Sequence, residues 1–498
     1  MSTVITQIRT PGKGLDGMCY VIRCDDGSTL VVDGGMDDGE AEILTDFLKK
    51  SSGTGIPVVD AWFLTHNHAD HTFCFMGVCE RHADEVRVNK LIFDFPDRSF
   101  YLASEPRAAY ELDRFYADIR LLEGVETVKP RSGDVYRWGE TAVEILYTAS
   151  DLPVVNGGKG MRVNDTSLVF RVKAAGQSVL FLGDVEAAGD AVMIEKYGKS
   201  LRSDVCQVAH HGAISSTFEF YKLVDPDILL WPARQSYFDS FLIGVPTDRS
   251  LLTKLHVKDI YLAGHGTVSL EMPIKPRPEP YLPEIPMPEL RETADLVIPR
   301  ASRAPALNLS DPVWSEAKTV PAAYDINGIP GPGPRGDSAE AGLLWTEDAL
   351  YLKLRFNKTV VFDPDHRGSS DSDCIRLYLA ERLPQPPDVM WNELEGDPAY
   401  EPNVKFYAEP KPVGNEKLLN TAPDRCESAI FNDEKGFTVL ARLRWNLPHC
   451  AGDVIGVDLE FNGVRSPGGP RAYSLNTAAP RTFPRYSSPL SLDYAKLG

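Results

Sequence analysis

The chain of 498 residues holds no apolar run long enough to cross a bilayer. Its start, Met1-Ser2-Thr3-Val4, is not a basic segment followed by an apolar one. The expectation is a cytoplasmic protein with no membrane partner. Basic charge is in short supply, with 52 Lys and Arg against 71 Asp and Glu and a formal net charge of −19. That argues against broad nucleic-acid binding, which needs a basic face. The eight cysteines include no C-x-x-C pair, so they read as reduced core thiols rather than a disulfide frame. Cys74 and Cys79 fall at helix-core positions. Histidine is missing altogether between His82 and Asp184.

Histidine is instead concentrated in Thr65-His66-Asn67-His68-Ala69-Asp70-His71. The apolar run Val58–Leu64 before it reads as a buried strand, so the cluster stands where a strand ends. Imidazole and carboxylate are the ligands of borderline metals such as zinc. A helix would send residues two apart to opposite sides, so an irregular turn is expected. It would aim His66 and His68 at one cation and Asp70 and His71 at its neighbour.

The HxHxDH pattern, standing as His66, His68, Asp70 and His71, resembles that of the metallo-β-lactamase superfamily. The resemblance covers about the first 270 residues. It implies an αββα sandwich of the α/β class with a two-metal site on one edge. Flavodiiron proteins of that fold usually carry an acid where His68 stands, so the resemblance points to the hydrolytic branch.

Short strands are expected at residues 3–9, 18–23 and 28–33, the last running into Gly34-Gly35. Helical spacing marks 39–51, 72–84 and 107–123; strands follow at Lys90–Phe95, 133–137 and 141–148. Asp151–Met161 reads as a loop near the site. A second set follows: strands at Thr166–Val172 and Ser178–Leu182, a helix near 187–198 and a strand at Asp204–Ala209. The first pair ends in Gly183-Asp184 and the last strand stops at His210-His211-Gly212. Two more strands, 227–231 and 258–262, flank a helix at 248–256. Both halves therefore end a buried strand in ligand-type residues.

Seven prolines lie between Pro273 and Pro288, which excludes helix and central strand. The domains are accordingly set at 1–272, a proline-rich linker at 273–296, and 297–498. The last part alternates apolar and polar residues, as in Leu350–Phe356, Ile375–Leu379 and Phe437–Trp445, the period of an all-β sandwich. Asp311-Pro312-Val313-Trp314, Leu344–Tyr351 and Asp371–Leu379 resemble family 9 carbohydrate-binding modules. A glycan partner is what that resemblance implies, with Trp391 and Tyr400 as the loop aromatics that could stack on it.

In the first domain the resemblance makes Asp184 the carboxylate shared by two cations. Asp33, in the Asp-Gly-Gly turn, is expected to support a ligand rather than to be one. His210-His211-Gly212 and Val163–Val169 resemble the corresponding stretches of DNA-uptake proteins and phosphorylcholine esterases. His210 is assigned as ligand because it lies nearer the strand, and His211 either as a support for a ligand or as general acid; the reverse is the alternative. Asp70 orients the attacking water. Asn164, Asp165 and His265 are candidates for the place of the missing third imidazole. The expected cofactor is zinc, two per chain, with manganese or iron(II) as alternatives. The expected function is metal-dependent hydrolysis of a small-molecule substrate with a phosphodiester or related ester bond. β-Lactam hydrolysis is not expected, because the third imidazole and a secretion signal are both missing. The alternative is a metal-containing binding or scaffold protein.

Overall fold

The computed structural model describes residues 1–9, 18–36, 39–53, 55–153, 162–213, 215–285, 294–321, 324–325, 338–357, 374–384, 398–400, 404–409, 417–420, 424–466, 469–474, 490 and 492–498. The chain divides into two compact units, Met1–Ile285 and Pro286–Gly498.

The first unit is built on two seven-stranded sheets. One runs, in spatial order, Val268–Glu271, Val4–Gln7, Cys19–Arg23, Thr29–Asp33, Ala61–Phe63, Lys90–Ile92 and Glu126–Val128. The other runs Asp259–Leu262, Ile228–Trp231, Val205–Gln207, Gln177–Phe181, Val169–Ala174, Thr141–Tyr147 and Val135–Trp138. Each sheet is buried on both faces, which is why its central strands are apolar throughout rather than alternating. In Thr29–Asp33, Leu30 and Val32 meet Phe63, Val143, Phe170 and Phe181 between the sheets. Val31 faces the other way, into helices Glu40–Ser52, Ala69–His82 and Pro106–Asp118. Helices Ala187–Tyr197, Phe218–Val224, Gln235–Gly244 and Pro246–Lys254 accompany the second sheet, whose outer face packs Leu180, Cys206, Leu229 and Ile260 against Met193, Phe220, Phe238 and Leu251. The result is four layers, αββα. Cys74 and Cys79 are both buried in the helix layer.

Several elements differ from the sequence reading. The run 58–64 splits, with Val58–Val59 pairing Arg87–Val88 and Ala61–Phe63 joining the first sheet. Asp60 makes the break by accepting Thr29 N and Asn89 Nδ2 with its carboxylate. Helices Arg98–Ser104 and Phe218–Val224 span seven residues each, too few for a clear apolar period to show.

The first part of the proline-rich stretch is a strap on this unit rather than a spacer. Ile274 is buried and exchanges two hydrogen bonds with the Gln177 amide. Arg277 reaches Asp259 at 2.6 Å, and Tyr281 N donates to the same carboxylate.

The second unit is all-β. A five-stranded sheet, Lys318–Pro321, Ser338–Thr346, Ala349–Asn357, Gly436–Arg444 and Cys426–Asp433, faces an eight-stranded one. The alternating residues Leu350, Leu352, Leu354 and Phe356 fill the space between them with Ile375, Leu377, Val439, Val457 and Leu459.

Candidate metal centre

The first unit delivers ligand-type side chains from the ends of its central strands. Ala61–Phe63 ends in Thr65 and His66, then the chain turns and a helix begins at Ala69. His68 is the N-cap residue, so Asp70 and His71 lie in the first helical turn rather than in an irregular loop. From the other sheet, strand Gln177–Phe181 leads through Gly183 to Asp184. Gln207 clamps this turn, accepting from Leu182 N and Gly183 N and donating to Gly183 O. Gly183 has φ +57, and a Cβ there would stand 2.9 Å from Thr65 Cβ. The two ligand loops can meet only because that side chain is missing.

Asp70, His71, Asp184 and His211 present ligand atoms that all lie within 4.8 Å of one another. His71 Nε2 is 3.1 Å from Asp184 Oδ1, and His211 Nε2 is 3.3 Å from Asp70 Oδ2 and 3.7 Å from Asp184 Oδ2. His71 Nε2, His211 Nε2 and Asp184 Oδ1 are buried with no hydrogen-bond partner among the described residues. Buried polar atoms rarely stay unsatisfied, and a cation among these atoms would satisfy all three. The donor set of two imidazoles and two carboxylates fits a divalent metal. Beside it, His66 Nε2 lies 3.0 Å from His68 Nδ1 and 3.9 Å from Asp184 Oδ2.

His210 and His211 take the opposite places to those expected. Both have left-handed backbone, φ 51 and 58, before Gly212 at φ 90. This turn carries His211 inward, where it is fully buried and its Nδ1 meets Pro232 O at 2.8 Å. His210 is left at the mouth, its side chain 23% exposed and its Nε2 3.9 Å from Asp184 Oδ2. Nearness to the strand is thus a poor guide, because two residues with positive φ reverse the direction of the side chains.

The supporting groups are ordered. Asp33 Oδ2 accepts from His71 Nδ1 at 2.7 Å, and its Oδ1 accepts Thr65 N at 2.7 Å. Asp33 therefore touches His71 and stays outside the cluster. Thr65 and Ser167 hydroxyls lie 3.2 and 3.4 Å from His66 Nδ1. Asn164 Nδ2 donates to Glu186 Oε1 and lies beside His210, while its Oδ1 is buried without a partner among the described residues. Asp165 Oδ1 accepts Glu186 N and Gly189 N at the start of helix Ala187–Tyr197, so its role is to hold that helix. His265 is outside the cluster, bonded to Gln235 Oε1 at 2.7 Å and set against the Tyr281 ring.

Burial alone would raise the carboxyl pKa of Asp184, but His71, His211 and His210 outweigh it and hold the group well below the usual range. Asp70 behaves likewise, with burial opposed by His211 and His71. Burial keeps His66 well below an ordinary imidazole, in the neutral form that can donate a lone pair. His68 goes the other way: burial opposes it, and the Glu105 hydrogen bond raises it.

Glu105, Glu186 and Gln207 carry no signal in the sequence, since each reaches the site through folding rather than through a motif. In the second unit, Tyr400 is 7% exposed and packs with Tyr378, Ala380 and Leu492, which leaves little ring for a sugar. Trp391 lies outside the described residues.

Residues 12–232 match the metallo-beta-lactamase superfamily model. The match lies within the first compact unit. The chain is 27% identical over 178 residues to "ComE operon protein 3" of Bacillus subtilis, covering 36% of this chain. The match spans 20% of the length of that relative. Among solved structures, the metallo-beta-lactamase fold protein YhfI of Bacillus subtilis aligns at 14% identity and a TM-score of 0.29, covering 46% of this chain and 85% of that one. A family 9 carbohydrate-binding module of Caldicellulosiruptor kristjanssonii, in complex with cellotriose, aligns at 15% identity and a TM-score of 0.30, covering 41% of this chain and 92% of the module. Similarities of this size bear on neither substrate nor ligand.

Proposed function

We propose that the metallo-beta-lactamase domain is a metal-dependent hydrolase that holds two divalent cations, zinc foremost, and cleaves phosphodiester or related ester bonds. One observation carries the reading. The unsatisfied buried atoms His71 Nε2, His211 Nε2 and Asp184 Oδ1 converge with Asp70 in a single cluster. Asp70, His71, Asp184 and His211 would hold one cation; His66 and His68, with Asp184 shared, would hold the other. Bound there, the cations would lower the pKa of a water and stabilise the negative charge that develops on the substrate.

The chain's own groups have separate tasks. Asp184 keeps its carboxylate ionised between the two halves. Asp70 orients the attacking water. His211, wholly buried with Nδ1 committed to Pro232 O, has no path to a leaving group. His210, at the mouth beside Asn164 and Glu186, takes the role of proton donor. The choice of a phosphorus ester rests on the His-His-Gly and Val163–Val169 stretches, which resemble those of phosphorylcholine esterases.

A screen of chromogenic phosphodiesters, carboxylic esters and lactams, with metal content measured on the same preparation, tests the reading. Phosphodiester hydrolysis that a chelator abolishes is expected. Stoichiometric metal with no hydrolysis of any class would turn the reading to a metal-containing binding protein.

A further inference from the structure

Every imidazole of the centre has one ring nitrogen held by the protein and the other turned toward its neighbours. For His71, His211 and His66 the held atom is Nδ1, through Asp33, Pro232 O and the Thr65 and Ser167 hydroxyls. His68 is reversed. Its Nε2 faces Glu105 Oε2 at 3.0 Å, and its Nδ1 faces His66 Nε2 at 3.0 Å. Two imidazole nitrogens on one tetrahedral zinc lie about 3.3 Å apart, given bonds of roughly 2.0–2.1 Å, so this pair is spaced for a shared cation.

Glu105 is well placed to impose that reversal. It is the joint between helices Arg98–Ser104 and Pro106–Asp118, closing the first and capping the second. Its N–H donates to Tyr101 O at 2.7 Å, and Pro106 after it restricts its backbone. The same helical pair grips the preceding residue of the ligand loop, where Asn67 Nδ2 donates to Ala108 O at 2.9 Å. Two adjacent loop residues, Asn67 and His68, are thus fixed by one rigid hairpin.

We propose that Glu105 is a positioning residue for the His66–His68 half of the metal centre: by accepting the Nε2 proton of His68, it leaves Nδ1 as the atom that meets the cation. The inference rests on the metal-centre reading above. It adds an acid that no ligand motif contains, supplied from 37 residues beyond His68. A carboxylate behind a ligating imidazole fixes its tautomer and ring plane, and losing one typically weakens metal binding about 10- to 100-fold.

The test is a competition titration of the full chain against a chromogenic chelator, which reads the number of bound zinc ions and their affinities without any substrate. Glu105→Ala should weaken one of the two sites about 10- to 100-fold and leave the other at the wild-type value. Glu105→Ser is the second truncation if the alanine variant does not fold. Glu105→Gln keeps an acceptor oxygen and should restore most of the affinity. Asp113→Ala, which removes an exposed acid paired with Arg98 in the same hairpin, should change neither site. Wild-type affinities in the truncations would overturn the proposal, as would a glutamine variant no better than alanine, or equal weakening of both sites. A wild-type chain that binds no metal would overturn the metal-centre reading itself, a different failure from wild-type binding in Glu105→Ala.

Discussion

His211 Nε2 lies 3.3 Å from Asp70 Oδ2 in a fully buried position, while its neighbour His210 stands at the mouth of the same site. The two histidines should therefore fail differently. His211→Ala removes a buried ligand and should lower the affinity of one metal at least about 100-fold. His210→Ala should keep both metals and lose about 10²- to 10⁴-fold in kcat, the range for a removed general acid. Metal content and kinetics on the same preparations separate the two. Equal metal loss in both variants would make His210 a ligand as well.

This pair also shows where the sequence stops being legible. His66, His68, Asp70 and His71 are close in the chain, and Asp184 follows a strand and a glycine, so their convergence could be read from spacing and resemblance. The inward turn of His211 could not. It depends on two residues with positive φ, a conformation that non-glycine residues rarely adopt and that no side-chain pattern announces. Glu105 was hidden for another reason: helix Arg98–Ser104 spans seven residues, too few for its period to show. The alternating strands of the second unit were plain because one face of each is apolar over many residues. The proline-rich strap is not legible in the sequence, because proline content excludes helix without saying what the extended chain lies against.

Gly212 holds the His211 turn in place. At φ +90, a Cβ would fall 2.6 Å from Trp231 Nε1, the atom that donates to His211 O. Gly212→Ala should cost at least about 3 kcal/mol, from backbone strain plus overpacking against a rigid ring. It should also lower metal content, because His211 is displaced with the turn. Thermal unfolding and metal analysis check both parts. A stable variant with normal metal content would show that the turn does not need a glycine.

Asp190 gives a pH signature away from the ligands. Burial pushes its carboxyl up to about 7, against the hydrogen bonds from Thr217 N and Ser216 Oγ. The folded chain then holds a proton that the unfolded chain releases near pH 4. The folded form binds more protons between these values, so this group's contribution to stability is full at low pH and falls as pH rises toward 7. Asp190→Asn removes the titration. Relative to wild type, it should gain on the order of 2–4 kcal/mol between pH 5 and pH 8. Denaturant unfolding of chelator-treated protein at the two values measures this, and parallel curves for variant and wild type would refute it.

The strap makes its own prediction. Asp259 is fully buried, and Arg277 is the cation bonded to its carboxylate. Burial raises the Asp259 pKa, and the Arg277 bonds overcome that and bring it below normal. Arg277→Ala leaves a buried acid without its counterion and should cost about 3 kcal/mol. A fragment ending at Met272 should suffer at least as much, whereas one ending at Ile285 keeps the pair. Equal unfolding midpoints for the two fragments would show that the strap contributes nothing.

The central claim is that hydrolysis depends on cations held around Asp184. The most direct measurement is to strip the wild-type chain with a chelator, return zinc in measured equivalents, and follow hydrolysis of a chromogenic phosphodiester at each addition, with Asp184→Ala treated in parallel. The account predicts no hydrolysis in the stripped chain, recovery that is complete by two equivalents of zinc, and no recovery in Asp184→Ala. Undiminished hydrolysis by the stripped chain, or full recovery in Asp184→Ala, would contradict it.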